Sequence, residues 1–371
     1  MSAYSGEIVD LGVGQPDFLT PDHIKMAGQR AIDEGFTRYT PQPGFQDLRA
    51  AIANKFQTEN HLDAAPEQVV VSCGGKHSLF NIIQCVVQPG DEVIILSPHW
   101  FSYAAQVQYA RGVPVLVQTR EEDGFQPDVA AIRAAVTDRT RAVILNSPCN
   151  PTGAVYARST LRALAELAVA RDLFVISDEV YEKITFAGAE HVSIASLGPE
   201  IAARTATVGS VSKTHSMTGW RIGYAVMPLE LAQSVTTLQS HSTSGPNAIG
   251  QRAALAAFTQ DAAHVTTMLA QYVQRRQFLL DRVARIHGWT CVPPQGTFYL
   301  FVNVAPWIGR VVAGRTIGGS AEFAEVLLAE AGVRVIAGTA FGSPRHMRIS
   351  FAASLEALAA GMDRIERLLM E

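Results

Sequence analysis

Val69-Val70-Val71-Ser72-Cys73-Gly74-Gly75-Lys76-His77-Ser78 changes character twice within a few residues. A β-branched run ends in paired glycines, and helical spacing then runs from Ser78 to Val87. A short apolar run without polar alternation reads as a strand covered on both faces. The same motif returns along the chain. Val93–Leu96, Val113–Val117, Ala142–Leu145, Leu173–Ile176, Thr205–Val208 and Ile222–Val226 read as further strands. Between Thr160 and Arg171, Leu161, Leu164, Ala165 and Ala168 recur at helical spacing. Strand–helix alternation predicts an α/β domain, a mostly parallel sheet flanked by helices, over residues 29–260.

A long helical stretch, Asp261–His287, follows. Beyond it strands (Thr297–Val302, Arg334–Ala337, Met347–Phe351) mix with helices (Ser320–Ala331, Ser354–Met370), and Gly309–Gly319 reads as an exposed loop. This predicts a smaller α+β domain made of residues 1–28 and 261–371.

Composition narrows the function. The chain has 371 residues, 48% apolar and 17% charged, which argues against disorder. Thirty basic against 34 acidic side chains leave a net charge of −4, which excludes a general nucleic-acid binder. No apolar run approaches the roughly 20 residues of a membrane span, and the first residues do not resemble a secretory signal. Cys73, Cys85, Cys149 and Cys291 form no CxxC pair, so reduced thiols in a cytoplasmic protein are expected. The dispersed histidines suggest no metal site. Only five lysines stand against 25 arginines: Lys25, Lys55, Lys76, Lys183 and Lys213. Lysine chemistry must come from that short set; Lys25 and Lys55 are expected on solvated helix faces, and Lys76 and Lys183 with solvated heads.

Ligands of open parallel sheets bind at the carboxyl ends of strands. After the first strand, Gly74 and Gly75 open a helix whose free N–H groups favour an anion, although a plain tight turn has the same look and Val70 rules out a Walker A loop. Asn150 precedes a proline in Asn146-Ser147-Pro148-Cys149-Asn150-Pro151-Thr152-Gly153, where it can aim its amide at a ligand or serve an ordinary turn. Asp178, just past an apolar strand, needs a partner or caps a helix. Lys213 sits in a Ser/Gly-rich link between apolar strands, with Ser210 and Arg221 nearby to hold a phosphate. A phosphate cradle, a carboxylate, the phenol of Tyr181 and a lysine at one sheet edge are what pyridoxal 5'-phosphate (PLP) requires.

From about Val9 onward the chain resembles the fold type I PLP-dependent aminotransferases of class I/II, the aspartate aminotransferase-like group. The resemblance rests on Gly14-Gln15-Pro16-Asp17-Phe18, Tyr39-Thr40-Pro41, Ser147–Gly153, Ser177-Asp178-Glu179-Val180-Tyr181, Ser212-Lys213-Thr214, Thr218–Tyr224 and Arg348-Ile349-Ser350-Phe351, in that order. It implies that Lys213 joins the cofactor covalently and shuttles the proton, with Asp178 on the pyridine nitrogen. Tyr181 and Asn150 would hold the ring oxygen and Trp100 would stack on the ring. Gly74, Gly75, Lys76, Ser210 and Arg221 would bind the phosphate, joined by Tyr39 from a neighbouring subunit of a homodimer. Arg348 would take the substrate α-carboxylate, with Gly14, Trp100 and Asn150 beside it. The implied activity is ping-pong transfer of an amino group from an α-amino acid to a 2-oxo acid, aspartate-type with 2-oxoglutarate as partner. Aromatic or methionine-like donors stay open, as does a related PLP enzyme such as a C–S β-lyase or an eliminating or cyclising enzyme. His215 is expected to be structural. A nicotinamide dehydrogenase is disfavoured, because Gly12-Val13-Gly14 lacks the third glycine of the dinucleotide fingerprint.

Overall fold

The computed structural model describes residues 6–186 and 188–370. Its central sheet has seven strands: β1 Val69–Ser72, β2 Glu92–Ser97, β3 Val113–Gln118, β4 Thr140–Asn146, β5 Phe174–Asp178, β6 Thr205–Ser210 and β7 Gly223–Val226. They lie in the order β1-β7-β6-β5-β4-β2-β3. Neighbours run parallel except at β7, which is antiparallel to both β1 and β6. Each apolar run read from the sequence is therefore a strand of this sheet.

Burial explains the continuous runs. Along β2, Val93 and Ile95 enter one apolar layer while Ile94 and Leu96 enter the other. Helix Arg158–Ala170 covers one face with Leu161, Leu164, Ala165 and Ala168; helix Gly75–Val86 covers the opposite face with Leu79, Ile82 and Ile83. Each fully buried Leu or Ile contributes about 1.5–3 kcal/mol over its exposed state.

Helix Gly75–Val86 starts earlier than its periodicity suggested. Gly74 turns the chain with φ +94°, a conformation that disfavours any side chain, and a Cβ there would run into the Arg221 guanidinium. The strand thus passes directly into the helix, leaving the N–H groups of Gly75 and Lys76 without intrahelical acceptors.

The C-terminal region carries an antiparallel sheet of Ile336–Ala337, His346–Ser350, Tyr299–Asn303 and Thr290–Cys291, in that order. The expected strand at Arg334–Ala337 is two short strands, because Val333–Arg334 instead pairs in parallel with Val9–Asp10. The loop expected at Gly309–Gly319 contains a small hairpin, Val311–Val312 with Arg315–Thr316, pinned by buried Val312 and Ile317. Leu11 shares a core with Leu300, Phe323, Ile349 and Ile365, so the start of the chain packs with its end. A division at residue 28 cuts helix Asp22–Asp33, whose Ile24 packs with Val69 and Val71 of the large sheet. By packing, that whole helix goes with the large sheet. No helix among the described residues is long and apolar enough to cross a membrane.

Candidate active site

A cavity of about 410 Å³ opens where the carboxyl ends of β1, β4, β5 and β6 meet Tyr299 and Arg348 of the C-terminal region. Lys213 reaches it from the short helix Val211–Thr214, which directly continues β6. Its ammonium donates to the Gly14 carbonyl and lies 5.8 Å from the ring centres of Tyr181 and Phe298. Burial, reinforced by the Arg348 and Arg221 charges, pushes its pKa down to about 8. An appreciable share of this amine is unprotonated near neutral pH, as a nucleophile or base requires.

Asp178 ends β5 and is 3% exposed. Tyr103 Oη donates to its Oδ2 at 2.6 Å, and the Val180 N–H donates to Oδ1 at 3.3 Å. Burial pushes its pKa up to about 6, against the pull of the Tyr103 bond and a weaker one from Lys213. Its hydrogen-bond donors are neutral, so a cation in the cavity would stabilise its ionised form. Tyr181 Oη shares a 2.8 Å hydrogen bond with Tyr299 Oη, and burial holds the phenol well above its ordinary pKa.

Arg348 extends from strand His346–Ser350 and is 6% exposed. It donates from Nη1 to Asn150 Oδ1 at 2.9 Å and from Nη2 to the Gly12 carbonyl at 2.8 Å. Its guanidinium lies 4.2 Å from the Tyr299 ring centre and 5.0 Å from that of Phe341. Its Nε is buried without a hydrogen-bond partner among the described residues. A buried guanidinium whose bonds go to neutral oxygens suits an incoming carboxylate. Asn150, with Oδ1 on Arg348 and its backbone N–H on Asn146 Oδ1 at 2.8 Å, keeps its Nδ2 group as a donor.

An anion cradle lies at the other end. The Gly75 and Lys76 N–H groups open a helix beside Ser210, whose Oγ lies 3.0 Å from the Ile222 carbonyl and accepts from the Ser212 N–H at 3.1 Å. Arg221 closes it from a left-handed backbone, φ +57°, held by bonds to the Thr218 and Cys73 carbonyls at 2.8 and 3.3 Å. Such a helix start with a guanidinium suits a phosphate. Trp100 forms a wall, edge-on to Tyr103 at 5.4 Å, and the exposed Lys76 ammonium stands 4.8 Å from its ring centre.

The structure thus gathers Gly14, Gly75, Lys76, Trp100, Asn150, Asp178, Tyr181, Ser210, Lys213, Arg221 and Arg348 around one cavity, with Gly74 as the adjoining turn. Tyr39 is elsewhere: it is 97% exposed, beside a separate depression near Pro246. Sequence reasoning missed Tyr103, Asn146 and Tyr299, which line the same cavity. Tyr103 had a usable signal, lying one helical turn past Trp100; Tyr299 was hidden inside an apolar strand. His215 bonds His264 at 2.8 Å, and burial beside that ring lowers its pKa to about 3, as fits a structural histidine.

Residues 6–365 match the family model described as aminotransferase class I and II. The chain belongs to that family. It is a fold type I PLP-dependent aminotransferase, as the run of motifs from Gly14 to Phe351 implied. It is 45% identical to an aspartate aminotransferase of Geobacillus stearothermophilus, over 100% of this chain and 93% of that one. It is 43% identical to an aspartate/prephenate aminotransferase of Thermus thermophilus, over 98% and 91% of the two chains. A solved aspartate aminotransferase from Thermus thermophilus with maleate superimposes with a TM-score of 0.92 at 43% identity, covering 98% and 92% of the chains.

Proposed function

We propose that this aminotransferase takes aspartate-type donors, with 2-oxoglutarate as partner, and that the cavity holds PLP. The observation that carries the reading is that a buried carboxylate (Asp178), an amine of lowered pKa (Lys213) and a buried guanidinium (Arg348) face one cavity. When bound, PLP supplies an electron-poor ring that accepts the electron pair released at the substrate Cα.

The residues divide the work. Asp178 would hold the proton on the ring nitrogen, gaining the cation that its buried position lacks. Tyr181 and the Asn150 Nδ2 group would donate to the ring oxygen, and Trp100 would cover one ring face. Gly75, Lys76, Ser210 and Arg221 would bind the phosphate. Lys213 would carry the cofactor covalently and, once displaced by the substrate amine, move the proton at Cα. Arg348 would pair with the α-carboxylate through two parallel bonds, flanked by Gly14 and Asn150; this fixes which Cα bond is oriented for cleavage.

The Lys76 ammonium at the cavity mouth supports a dicarboxylic substrate, since it offers a second carboxylate a cation. The maleate in the Thermus relative is in keeping with that. A second reading, a ring-bearing oxo acid as partner, is favoured by the half-exposed Phe101 on the same wall. The exposure of Tyr39 supports a homodimer in which it serves the neighbouring phosphate site, and four free cysteines support a reducing, cytoplasmic setting.

Borohydride treatment of purified protein followed by peptide mass mapping tests the reading. Cofactor trapped on Lys213 is expected; cofactor trapped on another lysine overturns it. Aspartate alone should convert about one equivalent of cofactor and stop, as a ping-pong half-reaction demands. Continuous release of ammonia without an acceptor would identify a lyase instead.

A further inference from the structure

Behind the turn that bears Asp178 and Tyr181, four ionisable side chains are buried together and take no part in the chemistry above. Lys55, on helix Gln46–Glu59, donates to Glu182 Oε1 and, at 2.7 Å, to Asn60 Oδ1. Asn60 Nδ2 donates to Glu182 Oε2 at 2.8 Å. Glu179 Oε1 accepts from the Ser177 and Ser193 hydroxyls at 2.8 and 2.9 Å, and its Oε2 meets His191 Nε2 at 3.0 Å. Lys55 is 7% exposed and Glu179 2%. The Lys55 and Glu182 side chains keep 7% and 9% of their surface, and that of His191 keeps 9%.

The network grips the turn from both ends. Glu179 follows Asp178 directly, and Glu182 follows Tyr181 directly. Lys55, Asn60, His191 and Ser193 reach in from neighbouring segments. The carboxylate tips of Glu179 and Glu182 and the His191 ring converge within 4.8 Å, a spacing that also suits a metal ion. Here the Lys55 ammonium already occupies the Glu182 carboxylate, and hydroxyls with the ring satisfy Glu179. Two carboxylates against one ammonium still leave a buried negative charge, which is costly away from water. A second proton on His191 cancels it. The groups facing that ring are Glu179, Glu182 and Lys55; the two acids outweigh Lys55 and raise the ring's pKa above its ordinary value although burial opposes them. Among the described residues the Nδ1 atom has no hydrogen-bond partner, so the demand for a second proton comes there from charge balance.

We infer that Lys55, Glu179, Glu182 and His191 form a charge-balanced clamp, with His191 as its second cation, that positions Asp178 and Tyr181 toward the cofactor. The clamp rests on reading the cavity as a cofactor site. Its consequence is electrostatic as well as geometric. The Glu179 charge makes Asp178 harder to ionise, and His191 offsets that charge. His191 is therefore a positioning residue that keeps Asp178 anionic.

Cofactor affinity measured from pH 5 to 9 tests this on wild type, His191→Gln and the double variant Glu179→Gln/His191→Gln. In the single variant the unbalanced Glu179 charge should weaken binding about tenfold and move its acid limb to higher pH by about one unit. The double variant, with both charges gone, should return most of the way. A single variant whose acid limb coincides with wild type, or a double variant no closer to wild type than the single, overturns the clamp. Imidazole nitrogen NMR of cofactor-free wild type is an independent arm that needs no variant. His191 protonated on both nitrogens at pH 7 is expected; a neutral ring overturns the proposal. Absence of any trapped cofactor in wild type would instead sink the cofactor reading, so the two failures are distinct.

Discussion

Asp178 and Glu182 lie on one turn, both out of water, yet their surroundings are opposite. Glu182 has an ammonium and an amide; Lys55 and His191 bring its pKa down to about 2 despite burial. Asp178 has a phenol and a backbone N–H, and burial pushes it up to about 6. The lysines repeat the contrast. Lys55 is paired with an acid, whereas Lys213 rests on a carbonyl and is pushed down to about 8. The back of the turn is chemically complete, and the cavity side is not. What it lacks, a cation for Asp178 and a carboxylate for Arg348, is what a phosphorylated pyridinium and an amino acid would bring.

Removing each lysine breaks this comparison most forcefully. Lys213→Ala should lower kcat by at least about 10³-fold, because the covalent carrier and proton shuttle go together; single-turnover kinetics with aspartate measures it. A variant within tenfold of wild type would show that the incomplete side is not the reacting side.

Asp178→Asn should lower kcat by about 10²–10³-fold, the scale of losing one preorganised electrostatic group. It also carries a pH signature. The folded pKa of Asp178 lies above its unfolded value, so its stabilising contribution to the cofactor-free protein is full below about 4 and is lost as pH rises through about 6. Glu182 has the reverse sign: its contribution is present above about 4.5 and is lost as pH falls through about 2. Cofactor-free wild type should decline in thermal stability between pH 4 and 6, and Asp178→Asn should lose that decline.

On the completed side the effect moves from rate to stability. Lys55→Met leaves Glu182 buried without its ammonium partner, held by Asn60 and the more distant His191 charge, and should cost about 3–5 kcal/mol in urea denaturation. Lys55→Met/Glu182→Leu should recover most of that loss, since a buried ion pair replaced by apolar side chains is often neutral. A double variant as unstable as the single would mean that Lys55 acts through packing on Phe56, 4.6 Å from its ammonium, and not through charge.

The same contrast separates what was legible in the sequence from what was not. The strands of the large sheet were readable because apolar residues run without interruption; both faces are covered except along the edge strand β3, where Val113 and Leu116 are exposed. Two of the incomplete groups were readable too, because Asp178 ends a strand and Lys213 lies just past another, where chemistry collects. The completed network was invisible. Lys55 was expected on a solvated face, yet it is buried, because its partner Glu182 lies far along the chain and no helical periodicity points to it. The histidines looked dispersed for the same reason: His191 meets Glu179 only through the fold. Tyr103 and Tyr299 escaped notice because a phenol in an apolar segment reads as core until its hydroxyl finds a partner. The boundary expected at residue 28 falls inside helix Asp22–Asp33, which Ile24 ties to the large sheet through a contact distant in sequence.

The finest test concerns the cavity mouth, where Lys76 is exposed and its charge is screened. An exposed ion pair contributes about 0.2–1 kcal/mol, so pairing between Lys76 and a substrate side-chain carboxylate can change affinity only about 1.4- to fivefold. Lys76→Met keeps the backbone N–H that the phosphate cradle needs and removes only the ammonium. KM for aspartate should then rise by that factor while kcat holds, and KM for a neutral amino acid such as alanine should stay put, because its one carboxylate belongs to Arg348. Added salt should shrink the wild-type advantage for aspartate and leave the variant unmoved, as screening of a solvated pair requires. Equal rises in KM for both substrates would place Lys76 in the cofactor cradle alone and leave the dicarboxylate preference without a reader at the mouth.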